Sequence, residues 1–147
     1  MSENTIQITH DPIQYSTLIE DVRSRIGGAV VLFLGTVREM TGGQKTIALD
    51  YEAYPQMAQS TLEEIVLEAY KRWPIVNTAI AHRLGRLEPG EISVAIAVCT
   101  PHRHQAFEAS KYLIDRIKEV VPIWKKENSI DGSTEWIHPG IELLRDE

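Results

Sequence analysis

The side chains best equipped for chemistry are concentrated between Thr100 and Glu127. If residues 102–120 are helical, His104, Lys111 and Lys118 are spaced by seven and fall almost on one line. His102 and Arg103 then stand at the helix start, where unpaired backbone N–H groups and the dipole favour an anion. Thr100-Pro101-His102-Arg103-His104 therefore reads as a phosphate or carboxylate cradle. The same spacing describes a solvated helix face with ordinary i,i+4 pairs, such as Lys111 with Asp115. Pro122-Ile123-Trp124-Lys125-Lys126-Glu127 follows. A Trp anchored there would project Lys125 or Lys126, and an anchored, partly dehydrated lysine moves protons near neutrality. A core Trp with two surface lysines is the other reading. Arg38 follows an apolar run, and an arginine at a strand end reaches a phosphate bidentately from a rigid base.

Other chemistries lack their residues. One cysteine, Cys99, leaves no intramolecular disulfide and no cysteine-based zinc site. His102 and His104 have no carboxylate at metal-ligand spacing, so no metal site is expected. Walker, G-x-S-x-G and G-x-G-x-x-G motifs are absent, and no cofactor is expected. Cys99 ends an apolar strand and reads as a small buried hydrophobe. The formal charge of the 147 residues is -6, which argues against nucleic acid as a partner. That charge is uneven. Residues 102–126 hold six basic and three acidic side chains, a +3 island in an acidic protein. The longest apolar stretch, Ala29–Leu34, is too short for a bilayer, and the N-terminus lacks a signal-peptide pattern. These features predict a soluble cytoplasmic protein, and the length predicts one domain over residues 1–147.

Elements to position the candidates follow from periodicity and punctuation. A short strand is expected at Thr5–Thr9. A helix follows from Asp11-Pro12 to about Arg25, capped by Asp11. Ala29–Leu34 is continuous and β-branched, the pattern of a strand buried on both faces. Gly35–Gln44 reads as a loop around the flexible pair Gly42-Gly43. Lys45–Ala53 alternates, with Ile47, Leu49, Tyr51 and Ala53 on one face. Pro55 opens a helix with Ala58, Leu62, Ile65, Val66, Ala69 and Trp73 at helical spacing, and Pro74 stops it. Strands are expected at Ile75–Arg83 and from Ile92, joined through the turn Glu88-Pro89-Gly90-Glu91. The helix from His102 buries Ala106, Ala109, Leu113, Ile117 and Val120, and Val121-Pro122 ends it. Asp131-Gly132 is a turn before a short strand holding Trp136. Connections too short for crossovers predict a mixed, partly antiparallel α+β fold.

Five phrases occur in order: GAVVLFLGTVRE, LDYEAYPQMA, AHRLGRLEPGEISVAIAV, PHRHQAFEASKYLIDRIK and VPIWKKE with Asp131-Gly132 and Trp136. From about Ile6 to Trp136 the chain resembles the large, catalytic subunits of molybdopterin synthase. The resemblance implies a sulfur transferase of molybdenum cofactor biosynthesis. It implies an α/β hammerhead with a mixed, largely antiparallel sheet and an additional small antiparallel sheet. In that family a small ubiquitin-like subunit carries sulfur as a thiocarboxylate on its Gly-Gly C-terminus and threads this tail into the large subunit. Two sulfurs convert precursor Z, a cyclic pyranopterin monophosphate, into the dithiolene of molybdopterin. The assembly is a heterotetramer around a large-subunit homodimer.

Carried over to this sequence, the substrate-contacting turn is Thr36, Val37 and Arg38. His102 and Arg103 match a His-Arg pair supplied across the dimer, and Lys118 and Lys125 match two essential lysines. Lys126 and Glu127 follow, with Lys126 where many relatives have Arg. The resemblance then implies that Arg38, His102 and Arg103 hold the cyclic phosphate while Lys118, assisted by Lys125, moves protons. Two other readings explain the cationic cradle: a phosphate-ester hydrolase or phosphotransferase using His102 or His104 as nucleophile, and a non-catalytic adaptor for an acidic peptide tail.

Overall fold

The computed structural model describes residues 3–41 and 43–138. Gly42, residues 1–2 and the acidic C-terminal stretch from 139 onward lie outside the described residues. Twelve elements follow in order: β1 (Glu3–Thr9), α1 (Tyr15–Val22), β2 (Ala29–Thr36), β3 (Met40–Thr41), β4 (Gln44–Ala53) and α2 (Pro55–Arg72). Then come β5 (Asn77–Arg83), β6 (Gly85–Leu87), β7 (Ile92–Thr100), α3 (Arg103–Val120), β8 (Ile123–Ser129) and β9 (Thr134–Ile137).

The first sheet has the order β1-β5-β7-β2. Only β1 and β5 run parallel; β5–β7 and β7–β2 are antiparallel. Period-two alternation divides its strands cleanly. Ile80, Val94, Ile96 and Val98 face α2 and α3, whereas Ala79, Ala81, Ala95, Ala97 and Cys99 face α1. Small residues toward α1 let that short helix lie close. The second sheet is antiparallel, with β3-β4-β8-β9 in a row and β6 also paired to β4. The inward residues Leu49, Tyr51, Leu87 and Ile123 join the core beneath α2 and α3. A mixed, largely antiparallel sheet with an additional antiparallel one is the expected α+β arrangement. The additional sheet has five strands, of which β3, β6 and β9 are short.

Four local expectations are corrected. First, Ala29–Leu34 lies in an edge strand, half-buried along its length, and the strands buried on both faces are β5 and β7. Second, the first helix begins only at Tyr15, and Asp11 does not cap it; the backbone N–H of Asp11 instead donates to Thr9 Oγ1 at 3.0 Å. Third, β4 carries a register shift between Thr46 and Ala48. It turns Ile47 outward, 46% exposed, and Thr46 inward, so the alternation holds only from Leu49 on. Fourth, the expected loop at 35–44 contains β3, paired to the start of β4.

Helix boundaries match the proline punctuation. Pro55 occupies the first turn of α2, and α3 ends where Val121 adopts an extended conformation before Pro122. At the start of α3 the His102 backbone N–H donates to Gln105 Oε1 at 3.2 Å. Val120 is 40% exposed, so the buried stripe of α3 stops at Ile117.

Gly27 and Gly28 let the chain pass tightly over the end of β7. A Cβ on Gly27 would strike Cys99 Sγ, and one on Gly28 would strike the Pro101 carbonyl. Cys99 itself is fully buried, and burial pushes its thiol up, away from the reactive thiolate. Cys99→Ser is expected to lose about 1–3 kcal/mol of stability through burying a hydroxyl and to keep the activity proposed below. Denaturant unfolding and turnover of the same preparation check both halves.

Candidate active site

The C-terminal turn of α3, the ends of β5 and β7, and the paired strands β4 and β8 meet around a small cavity of about 30 Å³. Lys118 enters from α3 and Lys125 from β8; Tyr51, His82 and Ser93 complete its polar lining. The space admits a water molecule or the end of an extended chain, not a ring system.

Alternation along β8 explains how a lysine comes to lie inside. Ile123, Lys125 and Glu127 point inward, and each is less than a tenth exposed. Trp124 points out, 45% exposed. Both sequence readings of this segment thus had the tryptophan on the wrong side: the lysine is buried and the tryptophan covers the outer face. Lys125 Nζ lies 3.9 Å from Glu127 Oε1, a buried ion pair on the same strand face. Removing one partner of such a pair strands the other charge. Lys125→Ala is therefore expected to cost about 3–5 kcal/mol, read as a lowered thermal midpoint; Lys125→Ala with Glu127→Gln should recover part of it.

Lys126 lies on the opposite face of β8, across from Asp50 and with Nζ 5.9 Å from the centre of the Trp136 ring. That face carries a wider, open groove of about 350 Å³ lined by Glu52, Ala53, Tyr54, Trp124 and Trp136. Lys125 and Lys126 therefore serve different surfaces.

Thr36, Val37 and Arg38 leave the end of β2 beside the cavity, since Ser93 Oγ donates to the Gly35 carbonyl at 3.2 Å. The Val37 side chain is buried in the core. Its N–H donates to the Glu91 carbonyl at 3.0 Å, and its carbonyl accepts from Gly90 N–H at 2.8 Å. Val37 thus pins the turn, while Thr36 and Arg38 are exposed.

His102 and Arg103 are exposed at the opposite end of α3. At 1.5 Å per residue, Arg103 and Lys118 are about 22 Å apart along the helix axis. One chain cannot bring the cradle and the two lysines to one small ligand. The +3 island is continuous in sequence, but α3 and β8 divide it among a helix start, the lysine cavity and the outer face of β8.

His82 was not singled out by the sequence, where it is one polar residue in the apolar strand Asn77–Arg83. Its position two residues after Ile80, on the face toward α3, was the available signal. Burial drives its imidazole down to about 4, against the raising effect of the bond to the Arg83 carbonyl; the Lys118 ammonium adds to the lowering. The unfolded chain takes up this proton near pH 6.5, the fold only near 4. Stability is therefore complete above about pH 6.5 and falls as the pH drops toward 4, by about 3 kcal/mol from this group. Urea unfolding at pH 7, 5.5 and 4 checks this: the difference between wild type and His82→Gln should shrink with acidity.

Two lysines of different elements converge on a narrow, mostly enclosed space in a two-sheet α+β frame. The profile of the MoaE protein family matches residues 8–120, and the chain belongs to that family. It is 47% identical over 142 residues to the molybdopterin synthase catalytic subunit of Halalkalibacterium halodurans, covering 97% of this chain and 90% of that one. Identity to the Bacillus subtilis molybdopterin synthase catalytic subunit is 47% over 136 residues, covering 92% and 86%. The crystal structure of molybdopterin synthase from Staphylococcus aureus superposes with a TM-score of 0.84 at 46% identity, over 89% of this chain and 95% of that chain.

Proposed function

We propose that this chain is the catalytic subunit of a molybdopterin synthase, acting as one domain over residues 1–147 in the cytoplasm. It takes sulfur from the C-terminal thiocarboxylate of a small ubiquitin-like subunit and transfers it to precursor Z. A subunit called catalytic presupposes a second component, and the narrow cavity suits the end of an extended tail better than a whole pterin. The observation that carries the reading is the convergence of Lys118 and Lys125 on that cavity.

In each transfer the thiocarboxylate sulfur bonds to an oxygen-bearing substrate carbon, the C–O bond there breaks and its oxygen leaves protonated. Water then cleaves the resulting thioester to leave a thiolate on the substrate and a carboxylate on the tail. Negative charge builds on oxygen in both steps. An ammonium beside that oxygen stabilises the charge and supplies the proton. Lys118 is half-buried on α3 and is the proton-transfer residue; Lys125, anchored beside Glu127, positions the tail carboxyl and assists. Arg38 binds the cyclic phosphate, with Thr36 beside it and Val37 holding the turn. Lys126 and Glu127 complete the substrate-binding set, Lys126 from the outer face of β8 and Glu127 through Lys125.

His102 and Arg103 bind the phosphate in the site of a second copy, because their own site is a helix length away. A homodimer at the centre of a heterotetramer follows. The experiment is reconstitution from the purified chain, the thiocarboxylated small subunit and precursor Z. Dithiolene formation supports the reading. Release of phosphate from simple esters without a partner would favour a hydrolase, and partner binding without product an adaptor.

A further inference from the structure

His82 has a defined orientation and no part in the mechanism so far. Nδ1 is 2.9 Å from the Arg83 carbonyl oxygen. A carbonyl only accepts, so Nδ1 carries the ring proton and Nε2 is the lone-pair nitrogen. The Tyr51 ring meets the imidazole edge-on, with centroids 5.3 Å apart and planes at 70°, which fixes the ring plane. The ring borders the same cavity as Lys118 and Lys125. The groups around it are the Tyr51 hydroxyl from β4, the Lys118 ammonium from α3 and the Lys125 ammonium from β8 with its Glu127 partner; β7 contributes uncharged Ser93 and Val94. A lone pair on a ring that shares its cavity with two lysines is an acceptor within reach of one of them through a water. Lys118 is the one whose charge acts on the ring.

We infer that His82 is a positioning residue for the transfer step: its Nε2 accepts a hydrogen bond from a water held by the Lys118 ammonium, and so aims that lysine as proton donor. The inference rests on the functional reading above for its catalytic consequence, and on the shared cavity and the orientation of the ring for the contact. A neutral imidazole suits the task, because a charged one would repel the ammonium it has to hold.

The contact is tested on the free protein by nitrogen NMR of labelled histidine. The expected result is a neutral ring protonated on Nδ1 between pH 5 and 9, with an Nε2 resonance that moves in Lys118→Met. An Nε2-protonated ring, or an Nε2 resonance indifferent to Lys118→Met, overturns the inference. The consequence is tested in the reconstituted reaction. His82→Phe keeps a flat ring and removes the acceptor; it should lower kcat about tenfold or more, leave KM for precursor Z unchanged, and move the alkaline limb of the kcat profile to lower pH. His82→Gln, which restores an acceptor, should recover most of that loss. Wild-type kcat and profile in His82→Phe overturn the positioning role. So does a loss in His82→Gln equal to that in His82→Phe. If no dithiolene forms with wild-type protein, the functional reading fails, while the NMR result still decides the contact.

Discussion

Lys118→Ala should form dithiolene at least about 100-fold more slowly than wild type, the scale of losing a general acid that also stabilises charge. The folded protein and its affinity for the small subunit should change little. Lys118 is half-buried at the last turn of α3, where its stem crosses the core edge and its ammonium reaches the cavity. Truncating this half-buried side chain should cost less stability than removing the buried Lys125, whose loss leaves Glu127 buried with a charge. The variant thus separates chemistry from folding. Single-turnover mixing with thiocarboxylated partner and precursor Z, alongside thermal unfolding, gives the answer. Near-normal product formation by Lys118→Ala would remove this residue from the mechanism.

The second large effect is a loss that a partner repairs. Arg103→Ala should lose nearly all turnover at limiting precursor Z, because a phosphate contact outside the cavity's own chain is gone. Arg103 and Lys118 are separated by about 22 Å along one helix, so under the proposed function each active site would draw them from different copies. Mixing folded Arg103→Ala and Lys118→Ala chains under exchange then creates dimers in which one of the two sites carries both defects and the other carries neither. Random pairing predicts recovery to roughly a quarter of wild-type turnover. No recovery in verified mixed dimers would place both residues in one chain's site and contradict the helix geometry.

What was legible in the sequence was local. Pro55, Pro74, Pro101 and Pro122 bracket α2 and α3, and period-3.6 apolar positions such as Leu62, Val66 and Leu113 orient them. Those facts place Lys118 and the His102-Arg103 pair at opposite helix ends. What was not legible depends on pairing between distant strands. Ala29–Leu34 and the run from Ile92 are both strongly apolar, yet β2 became an edge and β7 a centre through sheet order. The register shift beside Ile47 inverted a face that simple alternation assigned wrongly. Trp124 and Lys125 could not be sorted into outside and inside until β4 defined the inner face of β8. His82 escaped notice because a histidine in a largely apolar strand acquires meaning only from Tyr51 and Lys118, brought to it by two other parts of the chain, together with its neighbour Arg83. The family resemblance supplied the candidate site residues; the fold separates them into a lysine cavity, an outer face and a helix end.

If sulfur passes from partner to pterin as proposed, a sulfur balance reads the transfer directly. The purified chain is mixed with thiocarboxylated small subunit and precursor Z, and the partner's C-terminus is followed by mass spectrometry as product forms. The expected result is loss of two thiocarboxylates, each replaced by a carboxylate, for every dithiolene made, with no conversion when precursor Z is omitted. Dithiolene formed while the thiocarboxylate stays intact, or thiocarboxylate consumed with no sulfur reaching the pterin, would contradict the account.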